Sequence, residues 1–234
     1  MTPDYPNASW YSGLRTAGRG PIRRKRGANG SAKGRGARAL ARLLSRLEKS
    51  IRHTPFDLGK VPAAWGVRVM FDSFRTLARW TGWANQRIYS ACSELDPTEY
   101  FRPRACAFGS IHRTLNHLLA TETIWLARLT GQPHSIPSLD YEVCVDFPSL
   151  RNARFAEDLR IVEITDVILD KDGCGGDLSF SSMNGTPRQM PIHLVLSQLF
   201  LHHAHHRGQV HTLLSQTAVT PPALDLTYFP GTAG

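Results

Sequence analysis

The sequence predicts an all-α protein, a four-helix bundle with a short hairpin-like excursion before its last helix. Three observations carry that expectation. Four stretches between Met70 and Gln216 repeat apolar residues at steps of three and four, the period of a helix with one buried face. Prolines and glycines punctuate the gaps between them. A single stretch, "DGCGGDLSFSSMNGTPRQM", breaks the pattern with an Asn184-Gly185 turn between short segments, the signature of a small hairpin.

Residues 1–69 come first and differ from the rest. They hold fifteen Lys+Arg against three Asp+Glu, so the formal net charge of +9 divides into about +12 there and −3 over 70–234. The Arg/Gly/Ala-rich run "RTAGRGPIRRKRGANGSAKGRGARALARLLSRLEKS" contains one short stretch with helix potential, "ARALARLLSRLEKS". The remainder has too little apolar surface to offset its ordering entropy and is expected to be disordered. Such an arm could bind nucleic acid through phosphates, although it lacks interleaved aromatic residues for base stacking. An Arg-rich, acid-poor leader also suits an organellar transit peptide. The favoured expectation is an extension upstream of a start at Met70, where the strong pattern opens. The chain thus divides into 1–69 and a bundle domain, 70–234.

Within that domain the first helix is expected from Phe71 to about Cys92, through Phe74, Leu77, Ala78, Ala84, Ile88 and Ala91. "SELDPTEYFRPR" ends it with Pro97 and Pro103. The second runs from about Phe108 to Leu129 through Ile111, Leu115, Leu118, Leu119, Ile124 and Trp125, stopped by Gly131 and Pro133. A third spans about Leu150 to Leu169 through Leu159, Val162, Ile164 and Val167. The last runs from Pro191, well placed for a first turn, to about Gln216, closed by Pro221 and Pro222. Four amphipathic rods with one long connection make a bundle.

Composition removes several alternatives. Cys92, Cys106, Cys144 and Cys174 are widely spaced with no C-x-x-C pair, which argues against a disulfide scaffold or zinc ribbon and for a reducing cytoplasm. No apolar run approaches the roughly 20 residues of a membrane span.

The last helix holds "LHHAHHRGQVH", Leu201–His211, with five of the chain's ten histidines. Positions four apart share a helix face, so His202 and His206 can converge on one metal ion. Leu199, Val210, Leu213 and Leu214 stand at helical offsets from this pair, which puts it on or beside the buried face. His203, Arg207 and His211 form a rival series, weakened because arginine is no metal ligand. His117, amid "TLNHLL" in the second helix, alone reads as a core or boundary residue. With a histidine pair on another helix, it becomes a candidate third ligand in the bundle core.

These residues resemble the DinB/YfiT-like metalloenzymes, in particular the bacterial DinB family. The resemblance covers about Met70 to Phe229 and rests on "WANQRIY", "GSIHRTLNHLLATETIWLARLTG", "HHAHHRGQVHTLLSQ" and "PPALDLTYF". It implies metal ligation by His117, His202 and His206, a facial site with open positions, and surface or supporting roles for His203, His205 and His211. Two departures are Trp80-Thr81 where the family often has Tyr-Asn, and Leu201 at a position often held by Asn. Related branches use their metal with a low-molecular-weight thiol, and homodimers are common.

The expected function is a metal-dependent enzyme with zinc or nickel on three neutral imidazoles, acting on a small electrophilic substrate by thiol transfer or hydrolysis. The alternative is a non-catalytic metal-binding stress-response protein. No general base is evident. Glu122 is expected to be a solvated surface charge. Arg207 and Gln209 could orient a ligand or pair a carboxylate, or equally form a polar face or serve helix packing, and Asn85 and Trp83 either line the pocket or, as the safer reading for Trp83, pack in the core.

Overall fold

The computed structural model describes residues 63–171 and 174–232. Of the basic arm expected over 1–69, residues 1–62 lie outside the described residues, and 63–69 are helical rather than disordered. Four long helices form the bundle: α1 (Ala63–Ser93), α3 (Ile111–Thr130), α4 (Phe147–Lys171) and α5 (Ile192–Leu214), with a short α2 (Pro97–Phe101) after α1. The strands β1 (Asp177–Ser181) and β2 (Pro187–Pro191) pair antiparallel between α4 and α5. Helix α1 begins at Ala63, upstream of the expected start at Phe71.

Helix α1 packs against α4 and α5, and so does α3, which puts α1 and α3 at opposite corners. Two apolar clusters fill the interior. One gathers Ile88, Tyr89, Leu115, Leu119, Leu150, Val210 and Leu213; the other Phe74, Ala78, Leu126, Ile161, Leu196 and Phe200. Along the chain α1 and α5 pass from the second cluster to the first, whereas α3 and α4 pass from the first to the second. The neighbours α3 and α4 are therefore parallel. Their connection, residues 131–146, must return along the bundle like a strap.

Each end of α3 has a local cause. Ser110 caps its start, its Oγ accepting from the Arg113 N–H at 3.1 Å. Gly131 ends it at φ +66°, a left-handed conformation that needs no Cβ. From there the strap follows α3. Ile136 is buried against Ala120 and Ile124. Farther on, the Asn116 side chain makes both hydrogen bonds of the Cys144 peptide, donating to its carbonyl at 3.0 Å and accepting from its N–H at 2.9 Å. Glu142 meets His112 at 2.9 Å.

The hairpin loop is closed by the Gly185 N–H donating to Ser182 O at 2.9 Å, with Gly185 at φ +81°. Glycine is needed there because L side chains crowd in that region. Phe180 of β1 packs edge-on against Trp125, and Arg128 donates to Ser181 O at 2.8 Å. After α5 the tail crosses α1: Trp80 Nε1 donates to Leu224 O at 2.9 Å, and Trp83 packs against Phe229.

The third predicted helix exists, and of the four aliphatic residues that marked its inward face Val162 and Ile164 pack against the second cluster while Leu159 and Val167 do not. Leu159 is 74% exposed and Val167 is also exposed, while Leu150, Arg154, Asp158, Ile161, Thr165 and Leu169 face inward. Charged residues occupy the middle of the buried stripe, where apolar periodicity does not register them. Among the described residues, no helix is long and apolar enough to cross a membrane.

Candidate metal centre

His117 lies on α3 and His202 and His206 on α5, two helices in direct contact. Their Nε2 atoms form a triangle with edges of 3.4 Å (His117 to His202), 3.2 Å (His117 to His206) and 3.1 Å (His202 to His206). Nitrogens sharing one ion at about 2.0–2.1 Å stand about 2.9 Å apart at right angles and about 3.3 Å apart in a tetrahedron. The observed edges fall between and just beyond these values, so the residues fit a facially bound transition ion.

Hydrogen bonds at the far side of two rings determine which nitrogen is bare. His117 Nδ1 is 2.7 Å from the Leu139 carbonyl of the strap, which can only accept, so Nδ1 carries the proton. His206 Nδ1 is 2.8 Å from Gln209 Oε1, with the same consequence. Burial lowers the basicity of all three imidazoles, His202 to about 2 and His206 to about 4, with neighbouring histidines adding to the effect on both. They are neutral near pH 7. Two bare Nε2 lone pairs thus face each other at 3.2 Å, an arrangement that repels unless a cation lies between them. For His202 Nδ1 the described residues offer no protein partner.

Phe108, just before the cap of α3, lies flat against His117, with ring centroids 4.0 Å apart and planes at 20°, and meets His206 edge-on. It shields one side of the cluster. His205 is exposed, and its Nε2 accepts from the Gln209 amide at 3.1 Å. Two surface grooves, about 380 Å³ beside Thr76 and Leu226 and about 640 Å³ beside Arg87 and Pro221, share no lining residue with the histidines.

Between the apolar clusters lies a charged layer that corrects several sequence expectations. Glu122 is fully buried, not a solvated surface charge: it sits 2.6 Å from His203 Nε2 and 2.6 Å from Arg154 Nη2. Five residues past His117, it points into the core from another side of α3. Arg154 also contacts Asp158 at 3.0 Å, and Asn85 donates to Asp158 at 2.7 Å. Arg207 donates to Asn85 Oδ1 at 3.3 Å and lies over the Trp80 ring. The layer therefore sets both carboxylates against the Arg154 guanidinium, while Arg207 joins it through Asn85. Burial pushes both carboxyls up, Asp158 to about 6, against the opposing pull of Arg154. Burial and the two arginines hold His203 neutral.

This layer also disposes of the rival series, because His203 and Arg207 turn into the core and away from the three convergent Nε2 atoms. Asn85 belongs to the layer and Trp83 to the tail contact, so neither is placed among the histidines. The sequence put Phe108 at the start of the second helix, but it lies before the Ser110 cap and its contact with two imidazoles has no sequence signal; the Leu139 carbonyl lies in an irregular segment where periodicity is silent. Arg154 and Asp158 were missed because charge on a helix was read as exposure.

A family model described as DinB family matches residues 70–233. No match to a curated protein was found.

Proposed function

This chain belongs to the DinB family, and from that premise we propose a metal-dependent enzyme in which His117, His202 and His206 hold one divalent transition ion, zinc or nickel. The convergence of three neutral imidazole Nε2 atoms within 3.4 Å carries this reading. Bound there, such an ion supplies Lewis acidity that lowers the pKa of a coordinated water or thiol. The protein's own contribution is to present three uncharged donors from two packed helices. Leu139 and Gln209 orient two of the rings, and Phe108 keeps solvent off one flank.

The substrate class that suits this chemistry is a small electrophile, attacked by a low-molecular-weight thiolate or by water. Among the described residues no carboxylate shares the three-histidine ligand group, so the ion would keep open positions for a nucleophile whose own pKa it lowers, a thiol or a water. Elemental analysis of the purified full chain, followed by turnover assays with thiols and electrophiles, tests the proposal. About one equivalent of zinc or nickel with thiol-dependent turnover supports it. Bound metal without turnover of any thiol or ester leaves a non-catalytic metal-binding protein, and failure to bind either metal removes the proposal altogether.

A further inference from the structure

We infer that Gln209 is a positioning residue for His206, holding that imidazole in the one tautomer that presents a bare Nε2 to the cluster. The inference rests on the metal-site reading above and adds a role for a polar side chain that bridges the cluster and the exposed His205 of α5. A neutral imidazole carries one proton, and its location decides which nitrogen can coordinate. Buried as it is, His206 needs an acceptor at Nδ1 for Nε2 to stay bare. Gln209 Oε1 provides it at 2.8 Å, from one helical turn along α5.

An amide side chain could present its NH₂ group to His206 instead, which would stabilise the wrong tautomer. The other end of Gln209 lies 3.1 Å from His205 Nε2, and with the amide oriented as found the sequence His206 Nδ1–H to Gln209 Oε1, then Gln209 Nε2–H to His205 Nε2, is satisfied at both links; the reversed chain, started by a His205 Nε2–H, is the outcome that the tautomer measurement separates from it. His205 also packs edge-on against His206, with ring centroids 4.7 Å apart. Gln209 is half-buried and lies outside the charged layer, so its replacement leaves the core network in place.

Two measurements on the full chain test this. The first is the His206 tautomer in metal-free protein, read from long-range nitrogen–proton correlations with assignment by His206→Ala. Wild type is expected to carry the proton on Nδ1, and Gln209→Met, which keeps length but removes the acceptor, to gain the Nε2–H form. The second is zinc affinity by chelator competition. Gln209→Met should bind zinc about 10–100-fold more weakly, the usual effect of losing such a support, and Gln209→Glu, which retains an acceptor, should restore wild-type affinity or better. An Nε2–H tautomer in wild type overturns the inference, as does a Gln209→Met variant with unchanged tautomer and affinity within twofold. If wild type binds no zinc, the metal reading falls while the tautomer measurement still decides the role of Gln209.

Discussion

Glu122 Oε2 and His203 Nε2 are 2.6 Å apart at the centre of the bundle, with neither residue exposed. A carboxylate so placed depends on its partners, because isolated charge in the interior is heavily penalised. Removing it strands Arg154 as a buried cation without its closest counter-charge. Glu122→Ala is expected to lose about 3–5 kcal/mol of stability in urea unfolding, and Glu122→Gln less. A loss under about 1 kcal/mol for the alanine variant would show that the layer relaxes or hydrates freely.

The histidines separate cleanly by position. His117→Ala, His202→Ala and His206→Ala should each reduce bound zinc well below one equivalent while helical circular dichroism stays at the wild-type level. His211→Ala, outside the cluster, should retain the full equivalent. Equal retention by all four variants would place the metal elsewhere.

Phe108 offers a test of shielding. Its ring contributes through contact with two imidazoles, an effect of about 0.5–1.5 kcal/mol for an aromatic pair. Phe108→Ala is therefore expected to speed zinc release to a chelator by roughly 2–10-fold, and Phe108→Leu by less. An unchanged release rate in both would mean that the ring only packs.

Cys92 is buried in the first apolar cluster, and that burial pushes its thiol up to about 12. Only the thiolate reacts, so at pH 8 it should alkylate on the order of a thousandfold more slowly than an ordinary thiol. Mass spectrometry of native protein pulsed with iodoacetamide should find Cys92 unlabelled, and denatured protein labelled at all four cysteines. Native labelling of Cys92 at an ordinary rate would indicate local opening of α1.

The bundle was legible because Leu115, Leu119, Leu199, Val210 and Leu213 all lie where helical periodicity puts them, and all are buried. The hairpin was legible through Asn184-Gly185, where the backbone conformation itself constrains residue choice. Neither signal reaches Glu122, Arg154 or Asp158. Their burial depends on partners from α3, α4 and α5 arriving at one level of the bundle, a tertiary fact with no local pattern. His203 was indistinguishable from its neighbours for the same reason: its place inside follows from Glu122, eighty-one positions earlier. Spacing could bring His202 and His206 to one face, but the support from Leu139 belongs to a backbone carbonyl that no residue type announces.

The strap between α3 and α4 gives the two supported histidines different kinds of mutational exposure. Gln209 serves His206 with a side chain, so substitution there is felt directly. Leu139 serves His117 with its main chain, and any residue except one that bends the backbone supplies the same oxygen. Substitutions at Leu139 itself should therefore pass almost silently, whereas inserting or deleting a single residue between Gly131 and Leu139 would shift the carbonyl out of register. One ligand is secured by the identity of a residue, the other by the length of a path.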